Sequence, residues 1–144
     1  MDLILDHCAF LGKPHLIQKL FEVLSQTIKN NSQCLYSLTI INCATFTGFA
    51  EFCESILNSY ICKICFDGII FKTKYFAQFV DILPQSAIEK IQFIRCPLKK
   101  KIIDLINEKA NSFSKLRSIS LNDTDFLKDQ NNFASANKDE LNTI

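Results

Sequence analysis

One pattern constrains this chain more than any other: a short motif, apolar-x-x-apolar-x-apolar, returns at nearly constant spacing. It occurs in LYSLTIINCATF from Leu35, ICKICFDGIIF from Ile61, IEKIQFIRCPL from Ile88 and LRSISLNDTDF from Leu116. The central apolar residues are Leu38, Ile64, Ile91 and Ile119, so the steps are 26, 27 and 28 residues. A partial copy opens the chain, where Leu3 and Leu5 match Leu38 and Ile40 after a longer step of 35 residues. Alternation with a period of two marks a strand with one buried face. A unit that returns every few tens of residues marks an array of stacked supersecondary units.

Between the copies the apolar period changes from two to about 3.6, the period of a helix with one buried stripe. The stripes expected are Leu16, Leu20, Val23, Leu24 and Ile28; then Phe49, Phe52, Cys53 and Ile56; then Phe76, Phe79, Val80 and Leu83; then Ile102, Leu105, Ile106 and Phe113. Thr47 and Thr73 are expected N-caps, since a hydroxyl there accepts from an orphan amide of the first turn. Pro84 closely follows the third helix, as a terminator does.

The repeating unit is thus a short strand, a turn and a helix. It resembles the leucine-rich repeat, in its ribonuclease-inhibitor-like or cysteine-containing subtype, whose pattern is Leu-x-x-Leu-x-Leu-x-x-Asn/Cys. The Asn/Cys position falls on Cys8, Cys43 and Cys96, and the chain departs from it at Ile69 and Thr124. The resemblance implies an α/β fold: a right-handed, curved solenoid of about five short parallel strands with helices on the convex side. It covers residues 1–126. Residues 127–144, KDQNNFASANKDELNTI from Lys128 onward, are polar and poorly periodic, and are expected to be a C-terminal tail or cap. A doubly wound α/β domain is the alternative. It calls for long apolar strands and a Gly-rich phosphate turn, whereas the three glycines here are scattered at Gly12, Gly48 and Gly68.

At 144 residues the chain suits one domain. Its net charge of +1 favours neither a nucleic-acid nor a membrane-surface binder. No apolar run approaches the ~20 residues of a membrane-spanning helix. The N-terminus has no basic region of a secretory signal. With seven irregularly spaced cysteines and no such signal, reduced thiols and a cytoplasmic location are expected.

Cys62-x-x-Cys65 has the spacing of a zinc clip or redox pair. In a strand, residues three apart face opposite ways, so the two thiols cannot converge on one ion. A zinc site also needs about four ligands, and Cys34, Cys53, His7 and His15 show no second paired spacing. No metal or other cofactor is therefore expected. Catalysis is not expected either. The nearest constellation, Asp6, His7 and Cys65, is spread over strands two apart, about 10 Å at the usual spacing, which is too far for direct proton transfer.

Two readings of function remain. Repeat arrays use the strand face for binding, because its outward side chains have no core role. Stacking the copies gives rows on that face: Asp2, Ser37, Lys63, Lys90 and Ser118; Ile4, Thr39, Cys65, Gln92 and Ser120; Asp6, Ile41, Asp67, Ile94 and Asn122. The expectation is a non-catalytic protein–protein interaction module, an adaptor or regulator. Thr39, Ile41, Cys65, Asp67, Gln92 and Ile94 would form the centre of its contact, with Ile41 and Ile94 exposed. The resemblance points the same way, since leucine-rich repeats mostly act through protein contacts. The alternative is a phosphate-rich ligand, RNA or anionic lipid, held by Lys90, Arg95, Lys99, Lys100 and Lys101. Residues 88–117 hold eight basic and three acidic residues, a net +5. Against nucleic acid, the rows carry no aromatics for stacking. No capping segment is visible before Leu3, so self-association through an uncapped end is a further expectation.

Overall fold

Parallel strands cannot be joined by hairpins and need a crossover, usually a helix. The alternating periods supply that. The computed structural model describes residues 1–6, 14–42 and 49–122. Within them the order is β1 (Asp2–Leu5), α1 (Pro14–Asn30), β2 (Ser37–Ile41), α2 (Phe49–Leu57), β3 (Lys63–Asp67), α3 (Thr73–Ile82), β4 (Lys90–Ile94), α4 (Lys100–Lys109) and β5 (Ser118–Asn122). The five strands form one parallel sheet in sequence order, β1-β2-β3-β4-β5. Each helix packs on the next, α1 on α2, α2 on α3 and α3 on α4.

The register follows the repeat. Leu3, Leu38, Ile64, Ile91 and Ile119 are successive ladder partners, and so are Leu5, Ile40, Phe66, Phe93 and Leu121. In β2 to β5 both of these rows are buried, while the outward residues remain partly exposed. Leu35, Ile61, Ile88 and Leu116, which open each motif, are also buried. The core between β3, β4 and α3 is aromatic. The ring of Phe66 lies 5.0 Å from Phe71, 5.5 Å from Phe79 and 5.7 Å from Phe93, centroid to centroid. Phe76 closes the cluster at 6.0 Å from Phe93.

Helix phase and capping differ from the sequence reading at several points. Val23 is not on the α1 stripe; it is 57% exposed, and Phe21, at 0%, takes its place beside Leu24 and Ile28. Starting from Phe21, the stripe reads i, i+3, i+7, which a helix keeps on one side. In α4 Ile103 joins Ile102 and Ile106 in the core, and Leu105 is only half-buried. Thr73 is the first helical residue rather than the cap. The cap position is Lys72, extended at φ −82°, ψ 130°, with no side-chain cap bond. Pro84 sits inside a 3₁₀ turn, Leu83–Gln85, which finishes α3. Thr47, Cys8, Cys43, Thr124 and the tail lie outside the described residues.

Two local devices repeat with the motif, and the sequence reading missed both. After α2 and α3, a buried serine turns the chain toward the next strand. Ser59 Oγ donates to the Ile56 carbonyl and accepts from the Ile61 amide. Ser86 Oγ donates to the Leu83 carbonyl and accepts from the Ile88 amide. At the far end of the strands, Asn42, Gly68 and Arg95 occupy equivalent positions, each with positive φ, at 55°, 65° and 49°. Their amides extend the ladder to Asp67, Ile94 and Asn122 carbonyls of the next strand at 2.8–2.9 Å. At the middle one the left-handed backbone meets a close approach: a Cβ on Gly68 would lie 2.6 Å from Asn42 Oδ1. Glycine satisfies both demands.

Two stability effects are expected from these contacts. Phe66→Ala, which empties the centre of the aromatic cluster, should cost ~3–5 kcal/mol in urea unfolding, the range for buried Phe truncation. Ser86→Ala removes the hydroxyl acceptor of the Ile88 amide and leaves the Leu83 carbonyl with the Ser86 amide alone. It should cost ~1–3 kcal/mol with the denaturant slope unchanged.

Candidate functional site

The helices cover one face of the sheet. The other face is uncovered by any described element, and its outward rows line a shallow recess of about 320 Å³. Its floor is the middle row of Thr39, Cys65, Gln92 and Ser120. It is also lined by the row of Ser37, Lys63, Lys90 and Ser118, and by Leu38, Ile64 and Ile91 between the two rows. Both rows lie in strict register across β2 to β5.

Three of the six residues expected at the centre of a contact, Thr39, Cys65 and Gln92, line this recess. The other three, Ile41, Asp67 and Ile94, form the next outward row, at the carboxyl ends of the strands and outside the recess. Ile41 and Ile94 are half-buried rather than exposed. Asp67 lies between them in the row. Asp67 is bound bidentately by Arg95, Nε to Oδ1 and Nη2 to Oδ2, both at 2.8 Å. This fork–fork pair places a planar guanidinium over that end of the face.

The same pair alters the basic cluster of residues 90–101. Arg95 is committed to Asp67. Lys90 opens β4 and Arg95 follows it, so a strand length of roughly 16 Å separates them. Lys99, Lys100 and Lys101 start α4, with Lys99 at its cap position. The five residues do not form one patch. Lys109 is likewise engaged, with Asp81 of α3. The recess instead joins Lys90 to Lys63, its ladder partner on β3, a pairing that the linear charge count did not single out.

The cysteines behave as the strand geometry requires. Cys62 is buried and Cys65 lies half-buried on the open face. Burial pushes the Cys65 thiol up to about 11, with smaller contributions from Asp67 and Cys96. Cys53, in the α2 core, is pushed up to about 12 by burial and then by Asp81. Cys96 is buried where the strand turns, its Sγ 3.3 Å from the Phe66 carbonyl and 3.2 Å from that of Ile94. At the neighbouring position Ile69 fills the space as a fully buried apolar side chain. Cys34 is exposed. Asp6 follows β1, Cys65 aligns with Thr39 and Ile4 on the strands before it, and His7 lies outside the described residues. Among the described residues no group of three His, Cys, Asp or Glu is placed to share a metal ion, and no helix is long and apolar enough to cross a membrane.

Comparison with protein-family models, with curated proteins and with solved structures finds no match.

The raised thiols give a pH dependence with a definite sign. Cys53 and Cys65 hold their protons more tightly when folded than at the ordinary value of 9.0. Their contribution to stability is complete below the unfolded value and is lost as pH rises from there toward the folded values. Melting temperatures should therefore fall between about pH 9 and about pH 11, and Cys65→Ser should shrink that alkaline loss. Alkylation mapped by mass spectrometry at neutral pH should label exposed Cys34 well before Cys65.

Proposed function

We propose that this chain is a non-catalytic protein-recognition module, a right-handed, curved solenoid of the leucine-rich-repeat type that binds a protein partner on its open strand face. The observation that carries this reading is the uncovered, in-register ladder of outward side chains. A sheet anchored on its other face by a packed core presents those side chains already ordered. Binding then costs little backbone entropy. Thr39, Cys65 and Gln92 would form the floor of the contact, with Ile41, Asp67 and Ile94 as its half-buried, partly apolar rim. Tyr36, 49% exposed beside this face, adds the kind of aromatic that concentrates binding energy at protein interfaces. The raised thiol of Cys65 supports a contact role rather than a nucleophilic one, since the thiolate is the reactive form.

The test is affinity capture from the source cell, comparing wild type with Ile41→Arg plus Ile94→Arg. Both side chains face away from the core, so the double variant should keep the wild-type melting profile. It should lose the specific partners by adding two charges to the rim. Retention of every partner by a folded double variant would refute the reading.

A further inference from the structure

The recess places two lysines side by side. Lys63 and Lys90 are direct ladder partners on strands about 4.8 Å apart, and like charges directly opposite each other destabilise a sheet. Neither forms a salt bridge among the described residues. The Lys63 ammonium lies 5.2 Å from the Tyr36 ring centroid. That contact orients the cation without neutralising it. The recess lining itself contains no carboxylate. Two acids border this end: Asp2 accepts the Ser37 hydroxyl at 2.6 Å, and Glu89 lies 4.0 Å from Arg117. Donors surround the pair. Ser118 continues the lysine row, and Ser120 and the Gln92 amide lie in the row beside it.

We propose that this recess is an oxyanion subsite in which Lys63 and Lys90 jointly hold a phosphate monoester borne on a side chain of the protein partner. The inference rests on the reading of the open face as the contact surface. Charge decides the ligand. A carboxylate neutralises one of two adjacent ammonium groups, whereas a phosphate monoester carries close to two negative charges and three acceptor oxygens. The space exceeds what a bare phosphate needs, and the surplus extends over Thr39, Cys65 and Gln92, where a peptide backbone has hydroxyl and amide partners.

The test is a titration of the ¹⁵N-labelled full chain, followed by NMR. The probes are a short capped glycine peptide with a central phosphoserine, the same peptide with serine, the same with aspartate, and inorganic phosphate. The phosphopeptide should shift the amides of Lys63, Cys65, Lys90 and Gln92 saturably, and raised salt should weaken it. The aspartate peptide should bind roughly tenfold more weakly, and the serine peptide should cause no shift. Lys63→Gln plus Lys90→Gln should abolish binding and, by relieving like-charge repulsion, leave the melting temperature equal or higher. Lys63→Arg plus Lys90→Arg should restore binding. Absence of shifts, or shifts that persist in the Gln double variant, overturns the proposal. Equal affinity for inorganic phosphate overturns its peptide-borne source. Phosphatase treatment of the lysate separates this inference from the reading beneath it. If capture survives phosphatase yet is lost in the Ile41/Ile94 variant, the face is the contact surface and the phosphate subsite is wrong. If the phosphopeptide binds but that variant captures every partner, the subsite stands and the broader reading falls.

Discussion

The parallel ladder is the constraint on which everything else in this protein rests. Each strand must come back one spacing further along the sheet, pointing the same way and in the same register. A one-residue slip would turn every buried side chain of that strand toward solvent. The steps of 26, 27 and 28 residues answer that demand. A five-residue strand and a helix of nine or ten residues take up most of each step. The connectors absorb the difference, with short 3₁₀ turns after α3 and α4. Ladder partners then become core neighbours. Leu38, Ile64, Ile91 and Ile119 form one apolar row, and Phe66 stacks on Phe93 because the register puts them side by side.

The strands were legible in the sequence because burial writes a period of two into short segments, and four copies in phase leave little freedom. All eight inward residues expected in β2 to β5 are buried. The helices were legible in extent but not fully in phase. Val23 and Phe21 are both apolar and two positions apart, and pattern alone does not say which faces the sheet. What stayed hidden depends on backbone conformation rather than on polarity. Asn42, Gly68 and Arg95 share a left-handed conformation, but three such different side chains give no common signal. Ser59 and Ser86 did leave one, a serine two residues before the first apolar residue of the motif, continued by Ser114. It went unread because serine in a loop is ordinarily solvent-facing.

The open face was legible as rows but not as a site. The register fixes which residues share a row, and a row becomes a recess only where its side chains are short or splay apart. Thr39, Cys65 and Ser120 are short enough to leave space above the sheet, while Asp67 and Arg95 close the carboxyl end by binding one another. A count along the chain groups Lys90 with Lys99 because they are near in sequence. The sheet groups Lys90 with Lys63, which is 27 residues earlier. That regrouping separates charges merely dissolved on a helix start from charges gathered over a concavity.

The strand order also sets how the molecule would bear load. Among the described residues β1 and β5 are the two outer edges of the sheet, and each strand is hydrogen-bonded only to its neighbours in sequence. Tension applied through these outer strands runs across the sheet, along the hydrogen bonds themselves. The bonds are then pulled apart a few at a time rather than sheared together. Such a body should yield in small successive increments, one strand and its helix per step, starting from the outside. The aromatic cluster between β3 and β4 should be the last segment to extend. The protein would lengthen one strand-and-helix unit at a time and not snap as a single block.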